Sequence, residues 1–416
     1  MEREEILKNV FYNYFEGHYK RNRLSINLRI PLQRETLTET ALLPYLLERG
    51  CTEFTDITAI KRQLNMLYGA TLDIHTSSMD YARILTLTID GVDERYLSDE
   101  GIDSARADLL LDILFHPLVV DNSFSDEWVD IEREKLKQVI LSEINDKRTY
   151  CLKKAGELFY GDDVRALPQF GFTEDLDSID GKRLYEVYLE LLQTASVEIL
   201  SIGCNSSTKE KLIEVFSKLS RQPRKIKDKK AVEHMDEKNM EMVLDVEQDK
   251  YVMILSAGRL FTEYEQSVLR LANVILGSSP TSRLFMNVRE KKSLCYYCAS
   301  RPGYMSGALT IDSGVEYESV TELREAVLYE IEDIKRMNIS DEELDAAKLL
   351  LESVLMTVDD TIESISGWYL NCIYRIGRIM SPCDELNSIK KVTKQEISTL
   401  MGLFKVNVSV LLRGEM

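Results

Sequence analysis

The sequence repeats itself about half-way along, and this repetition limits the fold more than any other feature. Leu87-Thr88-Ile89-Asp90 recurs as Leu309-Thr310-Ile311-Asp312, and Ser125-Asp126-Glu127 recurs as Ser340-Asp341-Glu342. The two matches keep the same order, and both offsets are close to half of the 416 residues. Each copy also falls in the same kind of element, the first in a strand and the second at the head of a helix. A period of this size predicts two copies of one domain. A chain of this length accommodates that, since domains commonly run to roughly 100–200 residues.

The patterning fills in the two copies. Leu24, Ile26, Leu28 and Ile30 alternate with polar residues, the period of a half-buried strand. Residues 38–49 predict a helix opened by Thr38 or Thr40, with Pro44 in its first turn or kinking it. Residues 83–90 predict a strand, and 104–116 and 125–147 predict helices. In the last of these Ser125 is the expected N-cap, and Trp128, Ile131, Val139, Ile140 and Ile144 are the expected apolar positions.

The second copy reads as strand 251–256, helix 262–276 ending at Gly277, strand 307–314, and helices 319–337 and 340–357. Ser340 and Glu343 have the spacing of a capping box. Between the copies, 221–240 has few large apolar residues and a basic cluster, so it is expected to be a solvated linker. The expected division is therefore 1–220, a linker at 221–240, and 241–416. Strands mixed with helix pairs, in hairpin-like local order, point to an α+β fold rather than a doubly wound sheet.

Charge and cysteine content narrow the function. The net charge of −18 argues against a nucleic-acid partner, which needs a basic face for phosphate. The cysteines are seven and scattered, which fits a reducing compartment better than a disulfide framework. The first residues show no secretory pattern, and no apolar run has the length of a membrane span. Residues 109–120 come nearest, and Asp112 and His116-Pro117 interrupt them. The expected location is the cytoplasm.

Histidine is scarce. His18, His75, His116 and His234 are far apart in sequence and are expected to be structural or solvent-facing rather than metal ligands. No His-Glu-x-x-His, His-x-x-Glu-His, Gly-x-Ser-x-Gly or Walker A lysine loop occurs. Cys295-x-x-Cys298 lacks the second pair that a structural zinc site needs.

Residues 277–300, GSSPTSRLFMNVREKKSLCYYCAS, resemble the C-terminal signature of the M16 metallopeptidases, the family of insulin-degrading enzyme, pitrilysin and the mitochondrial processing peptidase. The resemblance rests on Ser282-Arg283-Leu284-Phe285, on Val288-Arg289-Glu290-Lys291, and on Leu294 followed by Tyr296. The first half agrees through the 38–49 helix, Leu67-Tyr68-Gly69-Ala70, and a helix containing Val139-Ile140-Leu141-Ser142-Glu143. Nearly the whole chain is covered. The resemblance implies an M16, LuxS-like metallohydrolase fold with two homologous domains, each an antiparallel sheet backed by helices. It also implies a subunit that pairs with a second one around a chamber.

Active members of that family carry His-x-x-Glu-His on the first helix, with a downstream Glu completing the zinc site. Here the motif position is Tyr45-Leu46-Leu47-Glu48-Arg49. By the resemblance Glu48 matches the base and Glu143 the third ligand, while both histidines are gone. Leu136 stands where many active relatives keep a second acid. Glu48 or Glu143 is expected to pair with Arg49, and this chain is expected to hold no zinc. The family's other element is kept: an Arg and a Tyr seven residues apart, here Arg289 and Tyr296, which bind the substrate backbone and stabilise the oxyanion. Ser293 stands where relatives usually have Gly.

The resemblance thus implies a non-catalytic subunit of a heterodimeric M16 zinc peptidase, inactive alone. It would supply Arg289, Tyr296 and half the chamber for proteolysis or maturation of a peptide. The partner would bring His-x-x-Glu-His and the zinc. The alternative is an M16-derived scaffold or a peptide-binding protein with no hydrolytic role.

Overall fold

The structure is a computed structural model that describes residues 2–204 and 206–415. The first half runs β1 (Glu2–Leu7), β2 (Val10–Phe15), β3 (Arg21–Pro31), α1 (Leu37–Leu47), α2 (Ile57–Met66), β4 (Thr71–Met79) and β5 (Ala82–Val92). It continues with α3 (Ile102–Phe115), α4 (Asp126–Ser142), α5 (Lys147–Tyr160), α6 (Thr173–Leu176), α7 (Gly181–Thr194), β6 (Ser196–Ile202) and α8 (Ser206–Ser217). The second half runs β7 (Lys238–Val243), β8 (Asp249–Ser256), α9 (Glu263–Leu276), a π-helix (Leu284–Lys291), β9 (Cys295–Gly303) and β10 (Ala308–Val315). Then follow α10 (Val320–Lys335), α11 (Asp341–Met356), α12 (Ile362–Ile376), α13 (Pro382–Lys391), α14 (Lys394–Met401) and β11 (Lys405–Arg413).

The duplication is visible in the strand order. One sheet is β1-β2-β6-β3-β5-β4 and the other β7-β11-β8-β10-β9. Apart from β1, the two orders match strand for strand. In both, a parallel pair (β2 with β6, β7 with β11) adjoins a run of antiparallel pairs. The repeated tetrapeptide holds the same place in each, since Leu87 and Ile89 face Ile26 and Leu24 of β3, and Leu309 and Ile311 face Leu255 and Met253 of β8. The fold is thus α+β with two sheets backed by helices, and the sheets are mixed rather than purely antiparallel.

The chain forms two compact units, and they are not the contiguous segments 1–220 and 241–416. Residues 1–142, 167–228 and 361–366 make the first, and 143–166, 229–360 and 367–416 make the second. The long helix expected over 125–147 breaks at Glu143–Asn145, a 3-10 turn, and Asp146 then caps α5 by accepting from the Thr149 N–H. The new helix turns Cys151, Ala155 and Phe159, one face at helical spacing, onto Val252, Ile254, Val408, Val410 and Leu412 of the second sheet. The expected linker is also partly pinned. Val232 is buried and its N–H donates to the Ser306 carbonyl, while a ring nitrogen of His234 lies 3.0 Å from the Ser256 and Leu403 carbonyl oxygens.

In the first unit the core lies between the sheet and α1, α3 and α7, with Ile26, Leu28, Leu42, Leu43, Leu87, Leu110, Ile113 and Leu184 among its members. Helix α1 is buried nearly all round, so it has no polar face to present. Pro44 sits well inside it, beyond the first turn, and leaves the Thr40 carbonyl without its helical donor. In the second unit Leu269, Ala272, Leu276, Val327, Ile331, Leu351 and Leu400 cover the sheet. Helix α9 starts at a Thr262–Glu265 capping box and stops at Gly277, and α11 starts at the Ser340–Glu343 box.

Candidate functional site

The motif helix ends early. Leu47 is the last residue of α1; the Glu48 N–H still reaches the Pro44 carbonyl, but the Arg49 N–H turns to Leu46. Tyr45 and Glu48 are half-buried. Arg49 donates from Nε to Glu132 Oε1 at 2.8 Å, and its Nη2 bonds the same oxygen. Lys135 Nζ donates to that oxygen as well, at 2.9 Å. Glu132, on α4, is 3% exposed in its side chain, so this carboxylate is satisfied inside the unit by two cations.

Glu132 was not anticipated. The buried positions of α4 are Val129, Glu132 and Leu136, spaced three and four apart, whereas Ile131 is 40% exposed. An acid on the inward stripe of an amphipathic helix was the available signal. Glu143, the residue matched to the third ligand, lies past the end of α4 and belongs to the other compact unit. Its partner is Lys153 of α5. Arg49 therefore pairs with Glu132, not with Glu48 or Glu143.

Burial, then the negative charges of Asp73 and Glu132, push the Glu48 carboxyl above its ordinary value; the Ile74 N–H and Lys135 pull the other way. Burial and the charges of Glu132 and Glu48 likewise raise the Tyr45 phenol. These residues do not fit a zinc ion. A phenol and a guanidinium replace the two imidazoles, and the guanidinium already occupies the acid that faces the helix. Among the described residues no group of three or more His, Cys, Asp and Glu is arranged to hold a metal ion.

Arg289 and Tyr296 do come together. They line one open pocket of about 400 Å³ with Glu290, Ser293, Leu294, Cys295, Glu316 and Ser319. Arg289 lies in the last turn of the π-helix, whose start is anchored by Arg283. That buried guanidinium holds Glu343 at 2.9 Å, Asp333 at 2.8 Å and the Asn338 carbonyl. Gly277 allows the close approach behind it, because a Cβ there would lie 2.6 Å from Leu284 Cδ1 and 2.7 Å from Ser300 Oγ.

The Arg289 guanidinium lies 4.5 Å from the Phe285 ring centroid and 3.5 Å from Glu290 Oε1. The pairing of β9 with β10 slips once: Tyr297 faces Gly314 and Cys295 faces Val315, so Tyr296 is the extra residue of a bulge. A bulge re-aims its side chain, and Tyr296 is 59% exposed. Its hydroxyl donates to Glu316 Oε1 at 2.8 Å, and that bond with the Glu316 charge raises the phenol above its ordinary value. Ser293, in the turn between the π-helix and β9, has φ +52°, the left-handed region that glycine tolerates best.

The profile of the Peptidase M16 inactive domain matches residues 178–351. That match spans less than half of the chain, and in sequence the chain resembles M16 peptidases without passing beyond resemblance. Its sequence is 25% identical to "Probable inactive metalloprotease YmfF" of Bacillus subtilis over 400 residues, 95% of this chain and 93% of that one. It is 26% identical over 304 residues to "Uncharacterized zinc protease YmxG" of the same organism, covering 70% of each. The crystal structure of a peptidase M16 inactive domain from Pseudomonas fluorescens superposes with a TM-score of 0.80 at 16% identity, covering 100% of this chain and 98% of that one. The chain thus shares the fold of that M16 inactive domain, and Tyr45 and Arg49 stand at the motif position at the end of its first helix. No helix among its described residues is long and apolar enough to cross a membrane.

Proposed function

We propose that this chain is the zinc-less subunit of a two-chain M16 peptidase. Its Arg289–Tyr296 pocket would hold the backbone of a peptide that a zinc-bearing partner cleaves. The observation that carries the reading is the contrast between the two motif regions. At the first, Arg49 and Glu132 close the position on each other. At the second, a guanidinium and a phenol are side by side in an open pocket. A phenol donor and a planar guanidinium suit a peptide carbonyl on which charge develops. A relative described as a zinc protease supports an M16 chain as the partner class.

The test mixes this chain with a zinc-bearing M16 chain and follows peptide hydrolysis, with complex formation checked by gel filtration. Activity is expected only in the mixture. Tyr296→Phe should lower turnover by about 10²–10³ while the complex persists, and Arg289→Lys should weaken peptide handling. Full activity with both residues substituted would make the chain a scaffold. One observation favours a second reading, peptide binding without hydrolysis: the Tyr296 hydroxyl is already given to Glu316. In that case the mixture retains peptide and cleaves none.

A further inference from the structure

Cys295 and Cys298 are three apart, which in a regular strand puts side chains on opposite faces. The bulge at Tyr296 changes this. Cys298 faces Ser313 and Cys295 faces Val315, so both partners lie on one face of β10 and both cysteines on one face of β9. Both pack against the core that contains Ile311 and Val315. Cys298 is buried, while Cys295 is half-buried and lines the pocket beside Arg289 and Tyr296.

We propose that Cys295 and Cys298 are a dithiol modification site, closed to an intramolecular disulfide by exchange with a small-molecule disulfide. The bond would bridge the bulge that carries Tyr296. Cys295, on the pocket side, attacks one sulfur of the reagent and expels one thiolate. The Cys298 thiol gives its proton to that thiolate and attacks the Cys295 sulfur, expelling the second reagent half. Two protein thiols and one small disulfide become one protein disulfide and two small thiols.

The electrostatics agree with this order of attack. The Cys298 thiol, aided by Arg289 and opposed by burial, lowers the Cys295 thiol below its ordinary value. Cys298 moves the other way, through its interaction with Cys295 and its burial. The remaining buried cysteines differ. Burial pushes Cys151 and Cys204 up to about 12 and raises Cys51 and Cys372, so these are poor nucleophiles. In a reducing compartment such a bond is transient and sensory rather than structural. The inference concerns the thiols alone and does not depend on the proposed peptidase partnership.

The test exposes the full-length folded protein to glutathione disulfide, quenches with acid, alkylates, and maps peptides by mass. The tryptic peptide 293–324, which holds both cysteines and no others, should be two hydrogens lighter and unalkylated. Cys51, Cys151, Cys204 and Cys372 should stay reduced. In Cys298→Ala the same peptide should keep one glutathione on Cys295. Wild-type protein that retains glutathione on Cys295, or leaves both thiols free to alkylate, overturns the proposal. So does a Cys298→Ala variant whose Cys295 does not react.

Discussion

Arg49 and Glu132 face each other across α1 and α4 as a paired guanidinium and carboxylate, and Lys135 shares the same oxygen. In active M16 peptidases a zinc ion is held by two imidazoles and an acid. Here the cation is part of the chain. Arg49 and Lys135 keep the charge of the buried Glu132 in balance. Without them the Glu132 carboxylate would be a buried unpaired charge.

The pair should behave as a unit in stability measurements. Breaking a buried pair costs about 3–5 kcal/mol when the remaining charge has no partner. Arg49 is 23% exposed and Lys135 stays behind, so Arg49→Met should cost about 2 kcal/mol. Arg49→Met with Glu132→Leu should lie within about 1 kcal/mol of the wild type. Urea denaturation of the two single variants and the double completes the cycle. Additive losses would mean that the two residues do not depend on each other.

A metal graft separates Glu132 from Glu143. Tyr45→His with Arg49→His restores two imidazoles and frees Glu132. The expected product binds one zinc per chain by elemental analysis after dialysis. Glu132→Ala in that background should abolish binding, and Glu143→Ala should not. The opposite pattern would return the third-ligand role to Glu143.

Much of the fold was legible in the sequence because the decisive signals are local. The Ser340–Glu343 box and the stop at Gly277 each depend on a few neighbours and recur in the structure; Leu24–Ile30 is a strand as expected, but not a half-buried one, since Ser25 and Asn27 on its other face are buried too. The repeated tetrapeptide located equivalent strands because β5 and β10 are paired on both sides and cannot slip register without exposing a buried face. What was misplaced is non-local. The partner of Arg49 is one such case, because only the packing of α4 against α1 brings Glu132 to it. The break at Glu143–Asn145 and the passage of α5 to the second unit are also decided by packing: Cys151, Ala155 and Phe159 bury against strands far along the chain. The bulge at Tyr296 depends on the partner strand, so the shared face of Cys295 and Cys298 was out of reach as well.

Glu48 gives a pH dependence with a definite sign. Its carboxyl is raised in the folded state, by burial first and then by Asp73 and Glu132. A raised carboxylate disfavours the folded state once it ionises. The penalty is absent below the unfolded value, near 4.5, and complete above the folded one. Glu48→Gln should therefore stabilise the protein at neutral pH, and the gain should vanish on acidification through that window. Denaturant midpoints measured at neutral and acidic pH check it. A gain confined to acid would reverse the assignment.

Ser293 is held at φ +52° in the turn that leads from Arg289 to Tyr296. For a residue with a Cβ this conformation costs roughly 1–2 kcal/mol. Glycine removes that cost and loses about 0.5–1 kcal/mol through the greater freedom of its unfolded chain. The balance predicts that Ser293→Gly stabilises by about 0.5–1 kcal/mol. Because the substitution relieves the backbone without adding or removing a packed group, the urea midpoint should rise while the slope of the transition stays the same. The pocket should keep its shape, so peptide binding should be retained at the wild-type level. A loss of stability would mean that the Ser293 side chain contributes more to the turn than its conformation costs.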